Sequence, residues 1–155
     1  MRIGFGFDTH RLENGRPFLL GGVKIEYSSG TVGHSDADVL IHAVIDALLG
    51  AAGLPDIGQQ FPDTSDEFRG IDSSILLRKT IALVSEKGFS IGNIDCTIVL
   101  QKPKVAEYIP SMIQSLASSL EIQASQVNVK AKTSEKLGFI GRGEGVSAYA
   151  IALLV

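Results

Sequence analysis

The sequence has one cysteine and no apolar run long enough to cross a membrane. One cysteine (Cys96) cannot form an intramolecular disulfide, which fits a reducing compartment. The N-terminus lacks the basic and apolar segments of a signal peptide, because strand-like residues begin at Arg2. These absences predict a cytoplasmic protein, or a plastid stromal one if a transit peptide has been removed.

The sequence also has little excess of either charge, since the net charge is −3 over 155 residues. This excludes a general attraction to nucleic acid or to anionic lipid, so we expect neither as a partner. An anionic ligand must then be held by local cations or by metal. The apolar fraction of 45% predicts one folded domain over residues 1–155.

Hydrophobic periodicity predicts an α+β fold with a mixed sheet and helices on one face. Strands are predicted at about 2–8, 17–27 with a break at Gly21-Gly22, 94–101, 127–132 and 146–155. Helices are predicted at about 36–50 with Ser35 as N-cap, from 72 or 73 to 88, and from Pro110 with the stripe Met112, Ile113, Leu116 and Leu120. Residues 51–70 are predicted to be a loop.

The stretch FGFDTHRL, residues 5–12, places Asp8 and His10 two apart in a predicted buried strand. Ile3, Phe5 and Phe7 form the apolar row of that strand. Side chains two apart point the same way, so Asp8 and His10 should project together from the opposite face. An isolated D-x-H is more often incidental than a metal site, so a third ligand is needed.

The first predicted helix supplies a candidate for that third ligand. Asp38, His42 and Asp46 are spaced i, i+4, i+8 on a helix that is otherwise apolar nearly all round. His42 on a solvated edge, bonded to a nearby carboxylate, would explain the pattern without function. With Asp8 and His10, however, His42 completes a three-ligand zinc set with an open fourth position, and Asp46 could orient its ring.

A glycine-rich segment, residues 133–145, is the second candidate site. Its glycines let backbone amides approach a ligand, and Thr133, Ser134, Lys136 and Arg142 can donate to phosphate. Glu135 has the wrong sign for that role unless it holds a cation such as Mg²⁺. An ordinary glycine-rich loop between two strands remains an alternative.

Two further segments carry polar residues of interest. His34 and Ser35 precede the first predicted helix, where an anion is favoured. Asp56 and Asp63 lie in LPDIGQQFPDT, residues 54–64, which is too polar for a core but could be a plain connector.

Three motifs together resemble one family: GFDTHR, HSDADVLIHAVIDALLGAAGLPDIGQQFPDT and EKLGFIGRGEG. They are similar to the 2-C-methyl-D-erythritol 2,4-cyclodiphosphate synthase family, and the resemblance covers about residues 1–155. It implies a phosphorus–oxygen lyase of the non-mevalonate isoprenoid pathway. Such enzymes cyclise the nucleotide-linked 4-diphosphocytidyl-2-C-methyl-D-erythritol 2-phosphate and release CMP. The family is homotrimeric, with ferredoxin-like subunits and active sites between neighbouring subunits.

Matched by position, the resemblance implies Asp8, His10 and His42 as Zn²⁺ ligands, and Glu135 as the ligand of Mg²⁺ or Mn²⁺ on the substrate diphosphate. It implies His34 and Thr133 as the catalytic pair. The substrate-binding residues that it implies are Asp8, His10, His34, Ser35, Asp56, Gly58, Phe61, Asp63, Ser65, Leu100, Lys104, Ala106, Lys132, Thr133, Ser134, Glu135, Phe139 and Arg142. Departures from the family pattern occur at Ser65, Ser134, Ile140 and Tyr149.

Two other functions fit parts of the same pattern. A zinc phosphoesterase would use the three metal ligands to activate water for hydrolysis. A zinc-stabilised trimeric module without turnover would bind an isoprenoid or a nucleotide. The first would release an acyclic monophosphate instead of a cyclic diphosphate, and the second would release no product.

Overall fold

The computed structural model describes residues 1–33, 35–62, 65, 68 and 70–155. The predicted site residues His34 and Asp63 lie outside the described residues. The strands are Arg2–Asn14 (β1), Leu19–Leu20 (β2), Val23–Lys24 (β3), Ser29–Val32 (β4), Ile91–Val99 (β5), Val127–Lys132 (β6) and Gly145–Leu154 (β7). The helices are Val39–Ala52 (α1), Ile57–Gln60 (α2), Ser73–Glu86 (α3), Ile109–Leu120 (α4) and Gly138–Gly141 (α5).

Five strands form one mixed sheet in the order β4-β1-β7-β5-β6, and β2 pairs with β3 in a separate hairpin. Only β5 and β6 pair in parallel among these strands, and α4 provides the crossover that a parallel pair requires. The predicted α+β class is confirmed. The ferredoxin-like detail is wrong, because the long elements run β-α-α-β-α-β-β here, whereas that arrangement runs β-α-β-β-α-β.

Helix α1 lies on the sheet face formed by Gly4 and Gly6 of β1. A Cβ on Gly4 would lie 1.9 Å from the carbonyl oxygen of Ala47, and one on Gly6 would lie 1.9 Å from that of Ala43. The two glycines therefore let the helix approach the backbone of β1 closely. As its sequence predicts, α1 is buried nearly all round, and its core residues pack against this face.

The opposite face of β1 carries the apolar row, and it is exposed. Ile3, Phe5 and Phe7 are 72%, 63% and 48% exposed, and Ile151 of β7 is 47% exposed. The interpretation of β1 as a buried strand is therefore wrong for one face: glycines lie beneath the helix at positions 4 and 6, and the large apolar side chains point outward. We call Ile3, Phe5, Phe7, Tyr149 and Ile151 the outer apolar face.

The N-terminus of α1 differs from the prediction. Asp38 is its N-cap and accepts hydrogen bonds from the backbone N–H groups of Leu40 and Ile41. The same carboxylate accepts from Gly21 and Gly22 in the β2–β3 turn, at 2.9 and 2.7 Å. Ser35 is not the cap: Ala37, between it and Asp38, has a φ of 58°, so the chain is not yet helical there.

Other boundaries follow the sequence closely. α1 ends at Gly53 with a left-handed φ of 72°, and α3 begins after its N-cap Asp72. The predicted loop 51–70 contains the single turn α2. Within the described part of the chain, no helix has the length and apolar character needed to cross a membrane.

Candidate functional site

Asp8, His10 and His42 converge on one point between β1 and α1. Asp8 and His10 project from the helix-facing side of β1, and His42 lies one turn into α1. Asp8 Oδ2 is 2.9 Å from His10 Nε2 and 2.9 Å from His42 Nδ1. The two histidine nitrogens are 3.2 Å apart. The predicted three-residue cluster therefore exists, and we call it the Asp-His-His cluster.

The donor set fits a divalent metal ion. Ligand atoms bonded at 2.0–2.2 Å around a tetrahedral zinc lie about 3.3 Å apart, close to the separations seen here. His10 Nδ1 is 2.7 Å from the carbonyl oxygen of Val32, which can only accept. That nitrogen therefore carries the hydrogen, and the lone pair of His10 Nε2 points into the cluster.

The electrostatics of the cluster also favour a cation. Burial raises the pKa of Asp8, but hydrogen bonds and charge from His10 and His42 outweigh burial and hold that pKa well below its usual range. Burial lowers the pKa of His10, yet the Asp8 carboxylate more than reverses this, so the net pKa is raised. The carboxylate is thus ionised and stabilises positive charge beside it.

A cavity of about 590 Å³ opens beside the cluster. Ser35, Asp46 and Gly58 contribute polar groups to its lining, and Ile57, Phe61, Phe68 and Leu76 form an apolar wall. The cavity therefore joins the metal-type ligands to a pocket that has both polar and apolar sides.

The sequence suggested that Asp46 orients the His42 ring, but the structure gives Asp46 a different partner. Its Oδ1 accepts from the backbone N–H of Ile57 at 2.8 Å, so it fixes the start of α2 on the cavity wall. Asp56 is the N-cap of α2 and accepts from Gln59 N at 2.9 Å. Burial raises the pKa of Asp46, which is half-buried in this position.

The other predicted substrate residues form a second group, away from the cavity. They follow the ends of the parallel strands β5 and β6, where Leu100 N donates to Lys132 O at 2.9 Å. The members of this group are Leu100, Lys104, Ala106, Lys132, Thr133, Ser134, Glu135, Phe139 and Arg142. None of them lines the cavity, and Ser65 does not line it either.

The polar side chains of the second group form hydrogen bonds and ion pairs with each other or with residues next to them in the chain. Thr133 Oγ1 donates to Glu135 Oε1 at 2.7 Å, and Ser134 Oγ donates to Leu137 O at 2.8 Å. Arg142 forms a two-pronged ion pair with Glu144, at 2.8 and 2.9 Å, which raises the pKa of Arg142. The guanidinium predicted to address phosphate is thus held by a neighbouring carboxylate.

The strand register shows that Lys132, a member of the second group, lies on the sheet face opposite the Asp-His-His cluster. Lys132 is opposite Val99, Val99 is opposite Ser147, and Ser147 is opposite Thr9. Thr9 lies between Asp8 and His10, so its side chain points to the other face. Lys132 therefore projects from the face that the Asp-His-His cluster does not use.

Sequence reasoning missed two residues that contact the cluster through His42. Ser73 Oγ is 2.9 Å from His42 Nε2, and Ser73 N donates to Asp36 Oδ2 at 3.0 Å. Asp36 stands in the HSDAD motif, so it could have been examined, but nothing in the sequence indicates that α3 begins beside His42.

Comparisons with known proteins identify the family of the chain. The YgbB family matches residues 1–155. The chain is 57% identical over 154 residues to the 2-C-methyl-D-erythritol 2,4-cyclodiphosphate synthase of Syntrophobacter fumaroxidans, covering 99% of this chain and 97% of that protein.

Two solved structures are similar over 99% of this chain. The bifunctional IspDF of Campylobacter jejuni gives a TM-score of 0.95 at 44% identity, and this chain spans 42% of that longer one. A CDP complex of Plasmodium falciparum IspF gives a TM-score of 0.87 at 37% identity over 95% of its length. The chain therefore belongs to the YgbB family, with curated relatives that are 2-C-methyl-D-erythritol 2,4-cyclodiphosphate synthases.

Proposed function

We propose that this chain is a metal-dependent phosphorus–oxygen lyase of the non-mevalonate isoprenoid pathway. Its substrate is 4-diphosphocytidyl-2-C-methyl-D-erythritol 2-phosphate, and its products are 2-C-methyl-D-erythritol 2,4-cyclodiphosphate and CMP. The observation that carries the proposal is the Asp-His-His cluster beside a cavity of mixed polarity. The names of the curated relatives and the CDP complex of a similar structure support the same substrate class.

The reaction needs positioning more than acid–base chemistry. An oxygen of the 2-phosphate attacks the inner phosphorus of the diphosphate in the same molecule, and the bond from that phosphorus to the CMP oxygen breaks. The attacking phosphate is already ionised at neutral pH, so no general base is required. Catalysis then consists of folding the substrate and neutralising its crowded negative charge.

The residues around the cavity divide between the metal ion and the methylerythritol part of the substrate. Asp8, His10 and His42 would hold Zn²⁺, which supplies Lewis-acid stabilisation of phosphate oxygens when bound. Asp56 and Gly58 would bind the hydroxyl groups of the methylerythritol part, and the apolar wall of the cavity suits its carbon skeleton.

The remaining assignments concern the phosphates and stay predictions. Glu135 would hold Mg²⁺ or Mn²⁺ on the diphosphate. His34 and Thr133 would be the catalytic residues, and Asp63 and Ser65 would contribute to substrate binding.

The arrangement of the two groups supports a homotrimer with composite sites. Lys132 of the second group projects from the sheet face opposite the cluster, so a small substrate that contacts both would need a second subunit. The outer apolar face supplies a surface for association, because contiguous exposed apolar patches mark interaction sites. Most soluble homo-oligomers are closed and symmetric, and a ring of three subunits would complete three equal sites.

Replacing Asp8 by Asn tests the metal-dependent function directly. The amide removes the charge that stabilises the cation, so we expect purified Asp8→Asn to lose its zinc and its CMP release while keeping its secondary structure. Glu86→Gln, which removes one carboxylate at the exposed end of α3, is the control and should retain both. Wild-type turnover in Asp8→Asn with no bound metal would contradict the proposal.

Product analysis separates the lyase from its rivals. A cyclic diphosphate formed in equal amount with CMP supports the cyclisation. An acyclic monophosphate would indicate a zinc phosphoesterase, and zinc and CDP binding without any turnover would indicate a binding module.

A further inference from the structure

We propose that Ser73, anchored by Asp36, is a positioning residue that fixes the His42 ring so that Nδ1 is the metal-binding nitrogen. The inference rests on the metal centre of the proposed function. It assigns a role to two residues that are neither proposed metal ligands nor lining residues of the cavity.

The contacts of Ser73 form a chain from a carboxylate to the cluster. Ser73 is the first residue of α3 and is fully buried. Both its backbone N–H and its hydroxyl group donate to the carboxylate of Asp36. The hydroxyl oxygen is 2.9 Å from His42 Nε2.

Counting the hydrogens along this series of hydrogen bonds determines the tautomer of His42. An ionised carboxylate only accepts, so the single hydroxyl hydrogen of Ser73 is committed to Asp36. The Ser73 oxygen can then only accept from His42, and Nε2 must carry the hydrogen. His42 Nδ1 is left with a free lone pair, directed at Asp8 and His10.

Without this anchor, the opposite tautomer is favoured by the geometry. His42 Nδ1 is 2.9 Å from Asp8 Oδ2, so an Nδ1 hydrogen would have a good acceptor. A metal ion would have to displace that hydrogen before it could bind. Hydrogen-bond partners of ligating histidines fix tautomer and ring orientation in this way.

Ser35 is also near the ring but does not have the same role. Its Oγ is 3.0 Å from His42 Nε2 and accepts weakly from Ala37 N at 3.3 Å. No carboxylate takes its hydroxyl hydrogen within the described ranges, and its other neighbour, Ser73 Oγ, is a distant partner at 3.4 Å, so the hydrogen can turn to a ligand in the cavity. Ser73, in contrast, has its donor fixed and is not a lining residue.

The test measures zinc affinity by competition with a chromophoric chelator, together with the visible absorption of the Co²⁺-loaded protein. We expect Ser73→Ala to raise the zinc dissociation constant roughly 10–100-fold and to alter the Co²⁺ spectrum, as losses of such partners do. Ser74→Ala, which removes the neighbouring hydroxyl, should match wild type in both readouts.

A second variant covers the case in which Ser73→Ala folds poorly. Asp36→Asn keeps the shape but has one acceptor oxygen for the two donors of Ser73, so zinc affinity should fall between wild type and Ser73→Ala. Wild-type zinc affinity and Co²⁺ spectrum in a folded variant of either residue would overturn the positioning role alone. Failure of the wild-type protein to bind zinc would overturn it together with the proposed metal centre.

Discussion

At the residue scale, the loop after β6 holds two adjacent residues in an uncommon backbone conformation. Glu135 and Lys136 have φ values of 53° and 66°, in the left-handed region that glycine tolerates best. Gly141 lies directly against this loop, since a Cβ on it would be 2.0 Å from the carbonyl carbon of Lys136. Tight packing by α5 therefore holds the strained backbone in place beside a predicted ligand of the substrate's metal ion.

Replacing Lys136 by Gly should relieve this strain. A left-handed conformation costs an L-residue roughly 1–2 kcal/mol, and part of the gain is offset by the greater freedom of glycine when unfolded. We expect Lys136→Gly to be more stable by about 1 kcal/mol in urea unfolding at fixed protein concentration. Lys136→Ala loses the same side chain but keeps the strain, so it should show no gain; equal stability of the two variants would exclude strain at this residue.

Glu135 should act through a second metal ion. A bare carboxylate beside the diphosphate would repel it, whereas a bound Mg²⁺ reverses the local sign. Glu135→Gln should keep its zinc and its thermal stability, lose most CMP release, and recover only partly at saturating Mg²⁺. Titrating Mg²⁺ against Glu135→Gln and the control Glu86→Gln checks this, and an unchanged Mg²⁺ dependence would remove Glu135 from the metal site.

The metal cluster was predictable from sequence because each of its residues belongs to a strong local pattern. Asp8 and His10 alternate within a strand, and His42 lies on an unmistakable helix, so only the approach of the two elements had to be inferred. The contact of His42 with Ser73 was not predictable. Ser73 is 31 residues away along the chain, and its position depends on how α3 packs rather than on any local spacing.

At the element scale, the contact between β1 and α1 positions the site. The helix can lie close to the strand only because β1 has glycine at the two positions beneath it. Gly6 lies under Ala43, and Ala43 follows the metal-type ligand His42. The separation of these two elements therefore sets the distance from His42 to the ligands on β1.

Adding one methyl group at this contact should disrupt the site. In Gly6→Ala, the new Cβ would lie 1.9 Å from the carbonyl oxygen of Ala43, so α1 must move away from the sheet. We expect a destabilisation of about 2 kcal/mol or more, together with weaker zinc binding. Unfolding curves and zinc content measure the two effects.

Gly50→Ala is the matched control for this contact. Gly50 is in α1, and its nearest neighbour would be 4.0 Å from an added Cβ. Alanine is the better helix former by roughly 0.8–1.0 kcal/mol, so this variant should be slightly more stable with normal zinc content. Similar behaviour of both variants would show that the close approach at Gly6 does not matter.

The elements themselves were predicted well, and the errors have a common cause. The sequence placed every long helix and strand but chose the wrong cap for α1 and assigned the wrong burial to one face of β1. Asp38 caps α1 while also binding the β2–β3 turn, a contact made by distant residues. The apolar row of β1 gave the second error. Such a row predicts that the side chains are buried, but it does not tell whether they are buried within the same chain.

At the scale of the whole molecule, the proposed function divides each site between two half-sites of neighbouring subunits. The Asp-His-His cluster and cavity lie on the helix-covered face, and Lys132, the last residue of β6, projects from the opposite face. The outer apolar face lies on the same side of the sheet as Lys132, and within it Phe7 packs on Tyr149 with ring centroids 5.1 Å apart. Association through it would bring the half-site of one subunit toward the complementary half-site of its neighbour.

Mixed oligomers distinguish composite sites from sites within one chain. A His42→Ala subunit has a defective cluster but an intact loop, and a Glu135→Gln subunit has the reverse. If sites form between subunits, co-expressing the two at equal levels should assemble about one quarter of the sites from two intact halves, with a matching share of wild-type CMP release. Pairing His42→Ala with Asp8→Asn damages the same half twice and should recover nothing. Activity in the first mixture no greater than that of its two parents would mean that each site is built within a single chain, and the homotrimer would then lose its functional basis.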